Sequence, residues 1–232
     1  MTEVGDVKTK VVLASPTVTR PYQQFLDAVE NSVPLLDAAG LDHQIVFEVG
    51  NPYISGARAT MLRKALDAKA DIIVFLDHDL SWRPQDLVTL IQTPGEVVAG
   101  TYRFKKPVEE YMGTIYPDQT GRPLCRADGC IKASRVPAGF LKVTAQAVGR
   151  FMKAYPDLIY GHPWHPYVDL FHHGAHKGTW YGEDYAFSRN WEDLGGELWV
   201  VPNLSINHNH VDGETYPGNY HEFLLRQPQP EE

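Results

Sequence analysis

The first patterned stretch is Lys10-Val11-Val12-Leu13-Ala14-Ser15, an apolar run ended by Pro16-Thr17, and it reads as a strand. From Tyr22 to Ala39 the apolar residues Phe25, Leu26, Val29, Val33 and Leu36 fall at helical spacing, with Gly40 as a fitting stop. Ile45-Val46-Phe47 lies in a second strand, followed by a turn at Gly50-Asn51-Pro52. A second helix is expected from Ser55, as its N-cap, to about Ala68. Then comes DIIVFLDHDL, Asp71 to Leu80. Ile72 to Leu76 is an unbroken apolar run of the kind buried on both faces of a sheet, cut off at Asp77-His78-Asp79. Strand, helix, strand, helix, strand predicts right-handed βαβ units around a parallel sheet.

After the acidic triplet, Pro84 opens a third helix through Leu90, and Val97-Val98-Ala99 gives a fourth strand. Beyond Thr101 the texture changes. Glu110 to Ile115, Leu124 to Lys132 and Arg135 to Leu141 read as short antiparallel strands with Gly and Asp turns. Thr144 to Tyr155 reads as a helix, Gly182 to Leu194 as another, and Leu198 to Val201 as a strand. Between the helices, Pro156 to Thr179 is rich in His, Pro, Gly and aromatics without a period, and reads as a long lid or binding loop. From Asn203 the chain reads as an irregular tail with three histidines, disordered over 226–232. No repeat or linker divides the 232 residues, which suffice for one α/β domain. The expected fold is a mostly parallel, Rossmann-like sheet flanked by helices, with a smaller antiparallel portion in the C-terminal half.

Composition narrows the function. Twenty-one basic against twenty-nine acidic residues give a net charge of −8, which disfavours a general nucleic-acid-binding surface. No apolar run approaches a membrane span, and MTEVGDVKTK lacks the apolar core of a signal peptide, so the expected location is cytoplasmic. Cys125 and Cys130 have no second Cys or His pair nearby and read as free thiols on two arms of a hairpin. His162, His165, His172, His173 and His176 are irregularly spaced, which favours solvated or stacked imidazoles over zinc.

Ligands of open α/β sheets gather beyond the carboxyl ends of the strands. Asp77 and Asp79 are delivered there one residue apart, and they can converge on one hard cation if the strand end bends. Such oxygen ligands suit magnesium or manganese, which often also hold phosphates. Spacing alone leaves the alternative that one Asp caps the next helix and the other is solvated.

Further stretches stand in order along the chain: Ile54-Ser55-Gly56-Ala57-Arg58, Leu76 to Leu80, Arg83-Pro84-Gln85-Asp86-Leu87 and Val136-Pro137-Ala138-Gly139-Phe140-Leu141. Trp180-Tyr181-Gly182-Glu183-Asp184-Tyr185-Ala186-Phe187, Gly195-Gly196 and His210-Val211-Asp212-Gly213 with Tyr216 and Gly218 complete the set. Together, over Val11 to Tyr220, they resemble nucleotide-sugar-dependent glycosyltransferases of the GT-A fold. The likeness is greatest to compact family-2-like members of bacteria and phages, and fainter to fungal Golgi mannosyltransferases. His78 departs from the family's usual small residue, and its side chain is expected to point away from the metal.

The resemblance implies one GT-A-type domain, with 10–101 binding the nucleotide-sugar and 102–220 carrying acceptor binding and catalysis. Asp77 and Asp79 would hold manganese, or magnesium, against the donor's two phosphates. A C-terminal histidine would complete the shell, either His208 or His210, with His210 favoured because Gly213, Tyr216 and Gly218 resemble the family's tail. Imidazole tilts the choice toward manganese. Arg58 would lie by the donor phosphates, or else pair with Asp77 or another acid. Pro16, Thr17 and Arg20 would receive the base and ribose. Asp184, beside Glu183, would be the general base of an inverting transfer, kept ionised by its place at a helix start. Trp180 and Tyr181 would stack on the acceptor, or belong to the core. The implied partners are a nucleoside-diphosphate sugar, UDP-sugar favoured, and an acceptor with a free hydroxyl, such as a hydroxymethylated DNA base or a cell-surface glycan precursor. Two readings compete. A nucleotidyltransferase would carry a Gly-rich basic loop after the first strand, where Ser15 to Arg20 has no glycine. A non-catalytic sugar-nucleotide-binding module would not need Asp77, Asp79, Arg58 and Asp184 together.

Overall fold

The computed structural model describes residues 8–227. Its elements run β1 (Lys10–Thr17), α1 (Gln23–Ala38), β2 (Asp42–Val49), α2 (Ile54–Asp67), β3 (Ile72–Leu76), β4 (Leu80–Trp82), α3 (Pro84–Gln92) and β5 (Val97–Ala99). They continue with β6 (Thr114–Ile115), β7 (Ile131–Arg135), β8 (Phe140–Thr144), α4 (Ala145–Ala154), a 3-10 turn (Pro156–Leu158), β9 (Ile159–His162) and β10 (His165–Val168). Last come β11 (Gly174–His176), β12 (Thr179–Tyr181), α5 (Glu183–Asp193), β13 (Leu198–Val200), β14 (Ser205–Asn209), β15 (Thr215–Asn219) and α6 (Tyr220–Arg226).

Eight strands form the central sheet in the order β2-β1-β3-β8-β5-β13-β7-β6. β1, β2 and β3 are parallel neighbours, as are β5 and β13, while β8 and β7 run against the rest. Alternation along β1 and β3 divides the core between two faces. Val12, Ala14, Ile73 and Phe75 pack with Met61 and Leu62 of α2, Phe151 of α4 and Trp191 of α5. Val11, Leu13, Val74 and Leu76 pack with Phe25 and Leu36 of α1 and Leu87 and Leu90 of α3. Burial on both faces is why these strands read as continuous apolar runs. β2 and β3 flank β1 on opposite sides, so the topological switch, and with it a crevice, lies at the carboxyl ends of β1 and β3.

Three expectations need correction, and one strand had not been expected. Helix α2 starts at Ile54 with Tyr53 in the N-cap position and no side-chain cap, so Ser55 lies inside it. Pro156 to Thr179 is not a plain loop but carries two antiparallel hairpins, β9–β10 and β11–β12, with His162 opposite His165. Most of their side chains are exposed or half-buried, so neither hairpin leaves an apolar alternation to read. The segment from Asn203 is not an irregular tail. β14 pairs with β15 and with β4 in a three-stranded sheet, and α6 is capped by the Asn219 side chain. The helix extends through Arg226, and residues 228–232 of the expected disordered tail lie outside the described residues. Finally, β4 had no separate signal, because it follows β3 after a turn of only three residues. Both cysteines are free, on a hairpin where the Arg126 amide donates to the Cys130 carbonyl at 2.8 Å. Among the described residues no helix is long and apolar enough to cross a membrane.

Gly100 follows β5, and its amide donates to the Phe140 carbonyl at 2.8 Å. A Cβ there would lie 2.5–3.0 Å from the Cδ1 atoms of Ile206, Phe140 and Leu204. Gly100→Ala is expected to lower the unfolding free energy by about 1–3 kcal/mol, the range for an overfilled core. A urea titration checks this, and an unchanged midpoint would show that the three side chains yield freely.

Candidate active site

The chain turns sharply after β3. The Asp77 amide donates to the Gly139 carbonyl at 2.8 Å, and the Leu80 amide to the Asp77 carbonyl at 3.1 Å. Gly139 has no room for a side chain, because a Cβ would collide with the Tyr102 hydroxyl and the Asp77 carboxylate. That close approach explains the glycine before β8. The Asp77 carboxylate accepts a hydrogen bond from Arg58 Nη2 at 3.0 Å, and Arg58 Nη1 donates to Glu183 Oε1, also at 3.0 Å. Arg58 is 2% exposed, with its guanidinium 5.0 Å from the centre of the Phe171 ring. Burial works against its charge, but Asp77 and Glu183 outweigh it and raise its pKa. The pairing ties the end of β3 to the start of α5.

Asp79 has different company. Its carbonyl accepts from the Asn209 amide at 2.8 Å and from the Asn209 side chain at 3.0 Å, which fixes β14 beside it. Two residues of alternation put His208 on the same face of β14 as the buried Ile206. His208 Nε2 lies 3.3 Å from Asp79 Oδ2, while its Nδ1 donates to the Arg103 carbonyl at 2.7 Å. Lys105 donates to the same Asp79 oxygen. Burial pushes the Asp79 carboxyl up, but the hydrogen bonds from His208 and Lys105 prevail and hold it at about 2. The buried Tyr102 ring meets His208 edge-on at 5.2 Å. Its hydroxyl is pushed well above its ordinary pKa by burial and by the charges of Asp77 and Asp184.

Asp184 opens α5 next to Glu183, and its Oδ1 accepts from the Tyr185 amide at 2.8 Å. Burial and the neighbouring Glu183 charge raise its carboxyl to about 6, against the opposing pull of Arg58 and the Tyr185 amide. The helix start was expected to keep this group ionised; it does not hold the carboxyl in the ordinary range, and the group titrates just below neutrality. One amide and a partial helix charge do not offset desolvation beside a second carboxylate.

Pro16, Thr17, Arg58, Asp77, Asp79 and Glu183 line one cavity of about 220 Å³ at the switch point. Arg20 and His210 do not join them and instead line a separate cleft of about 580 Å³. His210 Nδ1 is 2.8 Å from Asp212 Oδ1, so the histidine brought to Asp79 is His208 rather than His210. The His78 ring turns toward the Pro16 carbonyl at 3.1 Å. Trp180 is exposed beside His173, and Tyr181 lies under the Arg189 guanidinium at 4.5 Å. Tyr102, Lys105 and the preference for His208 were missed from sequence. The alternation of Ile206 and His208 could have revealed the last; Lys105 has no local signal.

Among the described residues no three His, Cys, Asp or Glu are grouped so as to hold a metal ion as they stand, with Arg58 and Lys105 each holding one aspartate of the pair. The donor set still fits a divalent ion. With Nδ1–H given to the Arg103 carbonyl, His208 presents Nε2 to Asp79 Oδ2 at 3.3 Å, so an imidazole nitrogen and a carboxylate oxygen are placed side by side where one ion could take both in exchange for the proton between them.

No family model matches the chain, and no curated protein matches it. Among solved structures it is similar to a mutant Drosophila β1,4-galactosyltransferase 7 in complex with manganese, UDP-Gal and xylobiose, at 14% identity over 97% of this chain and 76% of that one, TM-score 0.45. A glycosyltransferase involved in glycosylation of the major capsid of PBCV-1 aligns at 13% identity over 67% of this chain and 68% of that one, TM-score 0.36. The inositol-1-phosphate CTP transferase from T. maritima aligns at 8% identity over 87% and 89%, TM-score 0.43. At these scores none of the three decides the chemistry, which is taken from the residues themselves.

The raised Asp184 carboxyl has a cost for folding. Between about pH 4 and about pH 6 the unfolded group has lost its proton while the folded one keeps it, so stability falls through that window and stays lowered above it. Asp184→Asn is expected to stabilise the fold by about 1–3 kcal/mol at pH 7.5 and by much less near pH 4. Chemical denaturation at both pH values checks this, and equal effects at the two would contradict the raised pKa.

Proposed function

We propose that this chain is a metal-dependent glycosyltransferase of the GT-A type, moving a sugar from a nucleoside-diphosphate donor to an acceptor hydroxyl with inversion. One observation carries the reading: the buried Arg58 bridge sets Asp184, with a carboxyl near neutrality, against the paired aspartates at a sheet switch point. Asp184 takes the proton of the acceptor hydroxyl as its oxygen attacks the anomeric carbon, and the bond to the diphosphate breaks with its electrons. A base titrating close to the working pH suits that step. Glu183 holds Arg58 and tunes Asp184. Arg58, occupied by two carboxylates, acts as a clamp on Asp77 more than as a direct phosphate ligand.

Charge supports the metal. Among the described residues, the ion pairs of Asp77, Asp79 and Glu183, with Asp184 beside them, bring in two fixed cations, Arg58 and Lys105, so a diphosphate entering this acidic site needs further positive charge. Manganese or magnesium, held by Asp79 and His208 with Asp77 alongside, would supply it and stabilise the leaving diphosphate. Pro16 and Thr17 are suited to the base and ribose, and the Thr17 hydroxyl is buried without a hydrogen-bond partner. The 220 Å³ cavity is below the roughly 300–1,000 Å³ that enclose a whole drug-sized ligand. The donor's sugar would therefore project toward α5 and the exposed Trp180, the proposed acceptor side. A UDP-sugar is the favoured donor.

Three outcomes are expected. Transfer stops in excess EDTA and returns with manganese; full activity in EDTA would sink the metal role. The rate rises with pH through about 6 and levels off above it, as Asp184 loses its proton. Asp184→Asn lowers turnover by roughly a hundredfold or more at nearly unchanged donor affinity. Steady-state kinetics from pH 5 to 8 decide the matter: a variant with a normal rate would remove Asp184 as the base.

A further inference from the structure

Asp79 is met on one side by a loop that is braced against itself. In residues 103–110 the Phe104 amide donates to the Glu110 carbonyl at 3.0 Å and the Lys106 amide to the Phe104 carbonyl at 2.8 Å. The Arg103 guanidinium also reaches the Lys106 and Pro107 carbonyls, at 3.4 and 3.2 Å. The loop touches the site at two points, two residues apart. The Arg103 carbonyl accepts the His208 Nδ1–H, and the Lys105 ammonium donates to Asp79 Oδ2. That oxygen is the one facing His208 Nε2 at 3.3 Å. An ion bound by both groups would have to sit beside the same oxygen, where the ammonium now is.

We infer that Lys105 is the resident counter-cation of Asp79, displaced by a divalent ion and passed to the diphosphate of the donor, so that metal and nucleotide each promote binding of the other. This rests on the glycosyltransferase reading above. A lysine suits such an exchange: it is a compact charge on a flexible stem, and this one is 24% exposed, with the Tyr22 ring 6.0 Å from its nitrogen. An ammonium and a divalent ion cannot share one half-buried carboxylate oxygen without strong repulsion. A bound diphosphate offers the displaced ammonium a new anion, and whatever the nucleotide does for the metal, the metal does equally for the nucleotide. Arg58 is no substitute, because its planar fork is already fixed between Asp77 and Glu183.

The test is manganese binding to the whole chain, read by the electron paramagnetic resonance of the free ion, without and with saturating UDP. Wild type, Lys105→Met and the double variant Lys105→Met with Asp79→Asn are compared, their folding checked by circular dichroism. Methionine keeps most of the stem and removes the charge. Without UDP, Lys105→Met is expected to bind manganese roughly tenfold more tightly than wild type. UDP is expected to tighten manganese on wild type by a similar factor, within the usual range of site coupling, and far less on Lys105→Met. The double variant should lose the gain, which locates the ion at Asp79. A folded Lys105→Met that binds manganese no better than wild type overturns the inference. If wild type binds manganese and UDP independently and the variant behaves alike, the exchange fails and sugar transfer stands. If neither protein binds manganese or UDP, both fail.

Discussion

Arg58 is a charged side chain almost wholly removed from water, and a guanidinium in that position is tolerated only when anions meet it. Asp77 and Glu183 do so through its two terminal nitrogens, at 3.0 Å each, while the Phe171 ring lies 5.0 Å from the guanidinium. The two carboxylates belong to distant parts of the chain, the end of β3 and the start of α5, so the ion triad is also a tertiary joint. Removing the guanidinium would leave two acids side by side in a half-buried place, with Asp184 next to them. The position of the proposed base therefore depends on a residue that takes no part in the proton transfer.

The direction of β8 matters in the same way. An antiparallel neighbour of β3 begins where β3 ends, and Leu76 is paired with Phe140. The residue before β8, Gly139, thus arrives at the carboxyl end of β3 and accepts the Asp77 amide. A parallel strand in that place would have brought its final residues there instead. β4 and β14 extend the arrangement: the antiparallel pairing of Leu80 with His208 follows directly on the turn that carries Asp79. The aspartates stand at the meeting of two sheets, and each is served by a different one.

Much of this was legible in the sequence where burial left a pattern. The runs Val11 to Ala14 and Ile72 to Leu76 announced a sheet covered on both faces, and the helical spacing of Phe25 to Leu36 announced its cover. Asp77, Asp79, Pro16, Thr17, Arg58 and Glu183 were singled out one by one, and they line one cavity. What was not legible depends on long-range pairing. His208 and His210 are equivalent by spacing, and only the recognition of β14 separates an inward residue from one in the turn beyond the strand. Lys105 reaches Asp79 because the loop after β5 folds back, a fact with no local periodicity. The hairpins from Ile159 to Tyr181 have little buried face, so hydrophobic alternation could not mark them.

Asp79 and Asp184 show how one site makes two kinds of carboxyl group. Both lose much of their water, which by itself would raise both pKa values. Asp79 receives donors from His208 and Lys105 and is driven down to about 2. Asp184 has one amide and an anionic neighbour and rises to about 6. The opposed shifts keep the first an anion and leave the second a group that exchanges a proton near neutrality. In the proposed transfer these are the two carboxyl functions required: one that holds positive charge against the departing diphosphate, and one that accepts the acceptor's proton. They are kept distinct by their partners rather than by their depth. The loop that carries Lys105 and fixes His208 is therefore as much a part of the proposed site as the turn that carries Asp79.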